Sequence, residues 1–105
     1  MALRWSEDSR TDLQRIHDFD AARHASGLSA RLLGDRQFVR SAARRLHDGI
    51  ITNPGIVPGS RRNDDEKRWL PIKRGFVIVY RASRIRVEIL NVYHERELHR
   101  ASMPR

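Results

Sequence analysis

The 105-residue sequence predicts an α+β fold in the order β-α-α-β-β-β, an antiparallel sheet packed on an N-terminal helix hairpin. Three observations carry this. Apolar residues recur at three- and four-residue spacing twice before residue 52, the period of amphipathic helices. From Trp69 onward the period shortens to two, the period of strands. Between the two regimes, "NPGIVPGS" at residues 53–60 is dense in turn-forming Pro and Gly.

Leu3 and Trp5 alternate with Arg4 as a short opening strand. Ser6 is placed to cap a helix, and Glu7 and Asp8 put negative charge in its first turn, where the dipole favours it. Leu13, Ile16, Phe19 and Ala22 form one stripe of that helix. Gly27 is a C-terminal stop and Ser29 a second N-cap. The next helix carries Leu32, Val39, Ala42, Ala43, Leu46 and Ile50 on one side, with Gly34 weakening its start. Arg36, Arg40, Arg44 and Arg45 lie mostly off that stripe and read as a solvated flank. The short link makes the two helices an antiparallel hairpin.

After the Pro/Gly turn, "RRNDDEK" at residues 61–67 reads as a mixed-charge loop. Trp69–Ile72 form a short strand, with Pro71 pointing to an edge or a bulge. Phe76, Ile78 and Tyr80 share one strand face, and Val77 and Val79 the other. Two apolar faces argue for a central strand covered on both sides. "RASR", residues 81–84, reads as the turn into a half-exposed strand, where Ile85, Val87 and Ile89 alternate with Arg86 and Glu88. Leu90 and Val92 then carry apolar character to the opposite face. Residues 95–101 suit a short C-terminal helix.

A single domain over residues 1–105 fits the common domain size of roughly 100–150 residues. There is no cysteine, hence no disulfide and no thiolate metal site. The opening residues lack the apolar run of a secretory signal, and nothing approaches membrane-spanning length, so a cytoplasmic protein without a membrane partner is expected. Lys and Arg number 21 against 13 Asp and Glu, a net charge of +8. All but Lys67 and Lys73 of those bases are Arg, and the surplus sits mostly after residue 52. A basic protein of this kind attracts nucleic acid or an acidic protein segment.

Read together, "LRWSEDSRTDLQRIHDF", "NPGIVPG", "RWLPI", "FVIVYR" and "EILNVYHER" resemble the RelE/ParE family, toxins of bacterial type II toxin–antitoxin systems. The likeness covers residues 3–96 and rests on the order and spacing of these pieces. Two features depart from the family pattern: Ser9 stands where Ala is usual, and the loop at residues 59–68 is longer and more charged. The resemblance implies one small sheet on a helix hairpin, no cofactor, and a cognate antitoxin with an acidic or amphipathic segment that masks the toxin. It leaves two targets. ParE-like members inhibit DNA gyrase by binding it; RelE-like members are endoribonucleases that cut mRNA in the ribosome. The long helices favour the ParE-like reading.

The residues themselves leave enzymatic activity open. Cleavage of RNA by 2′-hydroxyl attack needs a base, a cation for the phosphate and an acid for the leaving oxygen. Arg81, His94 and Arg96 are the candidates, with Tyr93 and Lys73 beside them. Strand alternation sends Tyr93 and His94 to opposite faces, which counts against a compact nuclease centre. The structural alternative has Arg81 facing Glu88 across a hairpin, Tyr93 at a sheet edge and His94 bonded to backbone. Trp69, Arg81 and Arg96 are the candidates for partner binding. The remaining histidines, His17, His24, His47 and His99, show no metal-ligand spacing and read as surface residues.

Overall fold

A computed structural model describes residues 2–23, 34–61 and 66–97, with the side chains of residues 20–23 left out. The expected stop at Gly27, cap at Ser29 and start at Leu32 lie outside the described residues. So do the side chain of Ala22, His24, His99, the middle of the charged loop, and the end of the C-terminal helix.

The described elements are β1 (Ala2–Trp5), α1 (Glu7–Arg23), α2 (Asp35–Thr52), β2 (Ser60–Arg61), β3 (Arg68–Pro71), β4 (Phe76–Ala82) and β5 (Arg86–His94). A single 3₁₀ turn, Lys73–Gly75, precedes β4, and residues 95–97 begin a helix after β5. Two helices followed by strands is the predicted α+β layout. The five strands lie in the order β1-β5-β4-β3-β2. β3, β4 and β5 run antiparallel, as predicted; β2 adds an unpredicted antiparallel strand beside β3, and β1 joins in parallel alongside β5, Leu3 opposite Val87. The sheet is therefore mixed, because α1 carries the chain back across it before β5 forms. Ser60, the last residue of the Pro/Gly stretch, and Arg61, the first of the charged loop, are strand as well, forming β2 against Trp69 and Arg68.

The core fills the space between helices and sheet. Leu13 and Ile16 of α1 and Val39, Ala42, Ala43, Leu46 and Ile50 of α2 meet Phe76, Ile78, Tyr80, Val87, Ile89 and Val92. The α1 stripe ends early: Phe19 is 63% exposed, out at the rim of a cleft. His47 departs from its expected surface place. It sits at 6% exposure on the inward side of α2, with Nδ1 3.2 Å from the Asp48 carboxylate. One helical turn separates it from Ala43 and Ile50, so its ring follows their stripe inward.

β4 is central and its two faces differ in cover. Phe76, Ile78 and Tyr80 face the helices. Val77 and Val79 face away, yet only 9% and 2% of their surfaces are exposed. On that side the rings of Trp69 on β3 and Tyr93 on β5 stack with centroids 6.0 Å apart. They lean together from the strands flanking β4 and roof over the two valines.

Two sequence expectations for the last hairpin need correcting. Arg81 and Ala82 are strand, not turn, so the reversal falls at residues 83–85 and leaves Ile85 66% exposed in the bend. Val92 is fully buried on the same side as Val87 and Ile89, not opposite them. The cause is a register shift opposite Val79 and Tyr80, where Asn91 pairs with Val79 but Ile89 with Tyr80. Leu90 is the extra residue, and a bulge of one residue inverts the in–out parity of everything after it.

That bulge is stitched to the start of α1. The Ser6 hydroxyl donates to the Leu90 carbonyl at 2.8 Å, and the Ser6 N–H donates to the Ile89 carbonyl at 2.9 Å. The same hydroxyl accepts the Ser9 N–H at 3.0 Å, the N-cap bond read from the sequence. Ser9, fully buried, returns its own hydroxyl to the Ser6 carbonyl at 2.8 Å.

Candidate functional site

β1 ends at Trp5, opposite Ile89, so the remaining edge of β5 has no strand beside it among the described residues. Side chains take its place. The Asp12 carboxylate accepts the Val92 N–H at 2.8 Å and the Asn91 amide at 3.4 Å. Arg15, one turn further along α1, donates to the Val92 carbonyl at 3.2 Å. The Glu97 carboxylate accepts the His94 N–H at 3.0 Å and ion-pairs with Arg15. These residues fix where β5 ends and what stands around its last residue.

At that end lies a cleft of about 500 Å³, lined by Arg15, Ile16, Phe19, Asp35, Arg74, Phe76, His94, Arg96 and Glu97. Its lining combines apolar and aromatic side chains with charged ones, the composition of a binding site. His94 is held from several sides. Its Nδ1 accepts the Arg96 N–H at 3.2 Å, which in the neutral ring leaves the proton on Nε2. Its ring stands edge-to-face on Phe76, centroids 5.2 Å apart. Gly75, at φ 79°, lies so close that a Cβ there would be 2.9 Å from His94 Nε2 and 3.1 Å from Glu95 Oε1. Only glycine combines that backbone angle with that approach.

Arg74 is the chain's one described non-glycine residue with positive φ, at 66°. Such a backbone costs an L-residue on the order of 1 kcal/mol. It is held by an ion pair to Asp35 at 3.1 Å and by its guanidinium standing 4.3 Å from the centre of the Phe38 ring. Most of the rim's positive charge is thus already engaged: Arg15 by Asp12 and Glu97, Arg74 by Asp35. Arg96 is exposed, and its side chain makes no ion pair among the described residues.

The sequence-predicted site residues separate into two groups. His94 and Arg96 share the cleft. Arg81 does not join them: it pairs with Glu88 in register, while His94 pairs with Phe76, five positions away along β4 or about 17 Å. Arg81 and Trp69 share the sheet face that points away from the helices. The ion pair at Glu88 is made by Arg4, at 4.0 Å. Tyr93 lies under Trp69 on that outer face, opposite in sense to His94 as alternation required. Burial, and then the nearby Asp12 and Asp8 carboxylates, push its phenol above the usual value. Lys73 lies in the 3₁₀ turn and is exposed, beside but not lining the cleft. Sequence reasoning missed Arg15 and Asp35, for which no local pattern exists; chain reversal alone gathers them with Arg74.

Among the described residues no group of His, Asp and Glu is arranged to hold a metal, and no helix is long and apolar enough to cross a membrane.

No family model matches the sequence, and no curated protein matches it either. Among solved structures, the fold is similar to a chain of the chromosomal ParDE TA system from P. aeruginosa. The match has a TM-score of 0.53 and 20% sequence identity, and covers 90% of this chain and 95% of that one. At that identity the likeness is one of fold, over nearly the full length of both chains.

Proposed function

We propose that this chain is the toxin of a type II toxin–antitoxin pair. In this reading it is a ParE-like, single-domain cytoplasmic protein that arrests growth by binding DNA gyrase and is neutralised by a cognate antitoxin. The observation that carries the ParE-like choice is the charge state of the cleft. A ribonuclease centre needs uncommitted cations around its base to hold a phosphate. Here Arg15 and Arg74 are engaged by carboxylates and Arg81 lies far off, which leaves Arg96 as the one lining cation beside His94 without an ion pair among the described residues. That arrangement suits binding better than catalysis. The fold likeness to a ParDE chain supports the toxin–antitoxin context.

The RelE-like reading, a ribosome-dependent mRNA endoribonuclease, keeps one specific support: His94 and Arg96 are neighbours in a cleft, with the imidazole tautomer fixed. One experiment separates the two. The chain is expressed without antitoxin beside the His94→Ala/Arg96→Ala double variant, and purified protein is added to a gyrase supercoiling reaction. The gyrase reading expects inhibition of supercoiling, filamentation with a DNA-damage response, and toxicity that survives the double substitution. Cut messages, with toxicity lost in the double variant, would replace it with the nuclease reading. In this reading the antitoxin touches the helix hairpin and the strand region, with Trp69, Arg81 and Arg96 as its contacts.

A further inference from the structure

The two helices treat charge differently. α1 intersperses acids and bases, Glu7, Asp8, Arg10, Asp12, Arg15 and Asp18, and supplies its own compensation in the Arg15–Asp12 pair. α2 carries "RQFVRSAARRLH" at residues 36–47, with four arginines and no acid. Its acids, Asp35 and Asp48, stand outside that run and face Arg74 and His47. Arg36, Arg40 and Arg44 recur every four residues, one above the next, at a rise of about 6 Å per step. Arg36 is half-exposed and the other two exposed, and none makes an ion pair among the described residues. Like charges at that spacing repel by a few tenths of a kcal/mol per pair, so the isolated fold gains nothing from the row.

We propose that this arginine row on α2 binds the phosphate backbone of duplex DNA. The row offers guanidinium forks at a regular step, with Gln37 and Ser41 beside it as neutral donors of the kind that also contact phosphates. A protein partner fits less well. Interfaces between proteins draw affinity from a desolvated apolar centre. The only large apolar side chain exposed on α2 is Ile51, at 45%, beyond the row. Binding here must come from charge alone, which is how sequence-independent nucleic-acid binding works. The surface lies on a helix, away from Trp69 and Arg81, and does not depend on the toxin reading.

The test uses the full-length chain and a fluorescently labelled duplex of mixed sequence, titrated by anisotropy between 50 and 200 mM salt. The comparison is between Arg36→Gln/Arg40→Gln/Arg44→Gln and a charge-matched control, Arg4→Gln/Arg84→Gln/Arg86→Gln. The α2 variant is expected to lower the salt slope by about 3, roughly 1 per phosphate contact, while the control changes it by less than about 1. The α2 variant should melt no lower than the parent, since it removes repulsion. Equal losses in both variants would reduce the effect to net charge and overturn the proposal. So would absence of duplex binding at 50 mM salt, or displacement of the duplex by polyglutamate at equal charge concentration, which would assign the row to an acidic polypeptide.

Discussion

Replacing Ser6 with Ala removes one oxygen that serves two elements. The Ser6 hydroxyl caps α1 through the Ser9 N–H and closes the Leu90 carbonyl at the β5 bulge. Loss of an N-cap costs about 1 kcal/mol. Loss of a half-buried hydrogen bond that leaves a carbonyl without its donor costs about another 1–1.5 kcal/mol. The two bonds share an atom but involve separate partners, so a total near 2–2.5 kcal/mol is expected. Urea unfolding followed by far-UV circular dichroism should show the midpoint falling by about 1–2 M at the m-values usual for small domains. Two companions divide the total. Ser6→Thr keeps both bonds and should stay within about 0.5 kcal/mol of the parent. Ser6→Asp still accepts the Ser9 N–H but cannot donate to Leu90, so it should fall between Thr and Ala. A Ser6→Ala loss below about 0.7 kcal/mol would refute the reasoning, because the cap alone should exceed it. A Ser6→Asp as stable as the parent would show that the bulge bond contributes nothing.

Further outcomes follow from the core and the cleft. Tyr80 is fully buried and donates its hydroxyl to the Pro58 carbonyl, tying the Pro/Gly turn to the sheet; Tyr80→Phe should cost about 1 kcal/mol in the same unfolding assay. Burial pushes the Tyr80 phenol up to about 12 from 10.0, so the folded state keeps its proton where the unfolded chain has lost it. This contribution is fully present below pH 10 and is lost as pH rises towards 12, at up to about 1.4 kcal/mol per pH unit. Tyr80→Phe should flatten that alkaline limb, and an unchanged limb would assign it elsewhere. Gly75→Ala should lower stability by more than about 1 kcal/mol and displace the His94 ring, visible as a shift of its imidazole NMR signals. Trp69→Ala uncovers Val77 and Val79 and, if the proposed antitoxin docks on the outer sheet face, should weaken its binding by isothermal titration at least tenfold while leaving the helix signal intact.

The element order was legible because each element carries its own period. α2 wears its core stripe openly, and β4 announces a central strand through five consecutive apolar residues. What was illegible depends on contacts between distant residues. Nothing at Leu90 marks a bulge: the signal lies in Ser6, more than eighty positions earlier, whose hydroxyl takes the displaced carbonyl. Alternation carried past Ile89 therefore put Val92 on the wrong face. The parallel seat of β1 was hidden for the same reason, since "ALRW" reads alike in either direction. His47 was misplaced because residue type outweighed position; its spacing from Ala43 and Ile50 already put it on the buried stripe. The candidate site was half legible. "YHER" pointed to the end of β5, but the state of its neighbours, set by Asp12, Asp35 and Glu97, exists only in the folded chain.

Those carboxylates also explain why polar residues gather at that end. Past Trp5 the edge of β5 would otherwise present unpaired backbone groups, an invitation to uncontrolled pairing. Asp12, Arg15 and Glu97 occupy those groups in turn, and Arg15 pairs with both acids. Asp12→Asn offers a weaker, neutral acceptor to the Val92 N–H and breaks the pair with Arg15. It should cost about 1–3 kcal/mol, the range for a buried bond to a charged group. If Asp12 served chemistry instead of structure, the substitution would leave the unfolding midpoint in place and, on the toxin reading proposed above, abolish toxicity. If it serves as the missing strand, stability falls, and on that same reading toxicity returns when the folded fraction is restored at lower temperature.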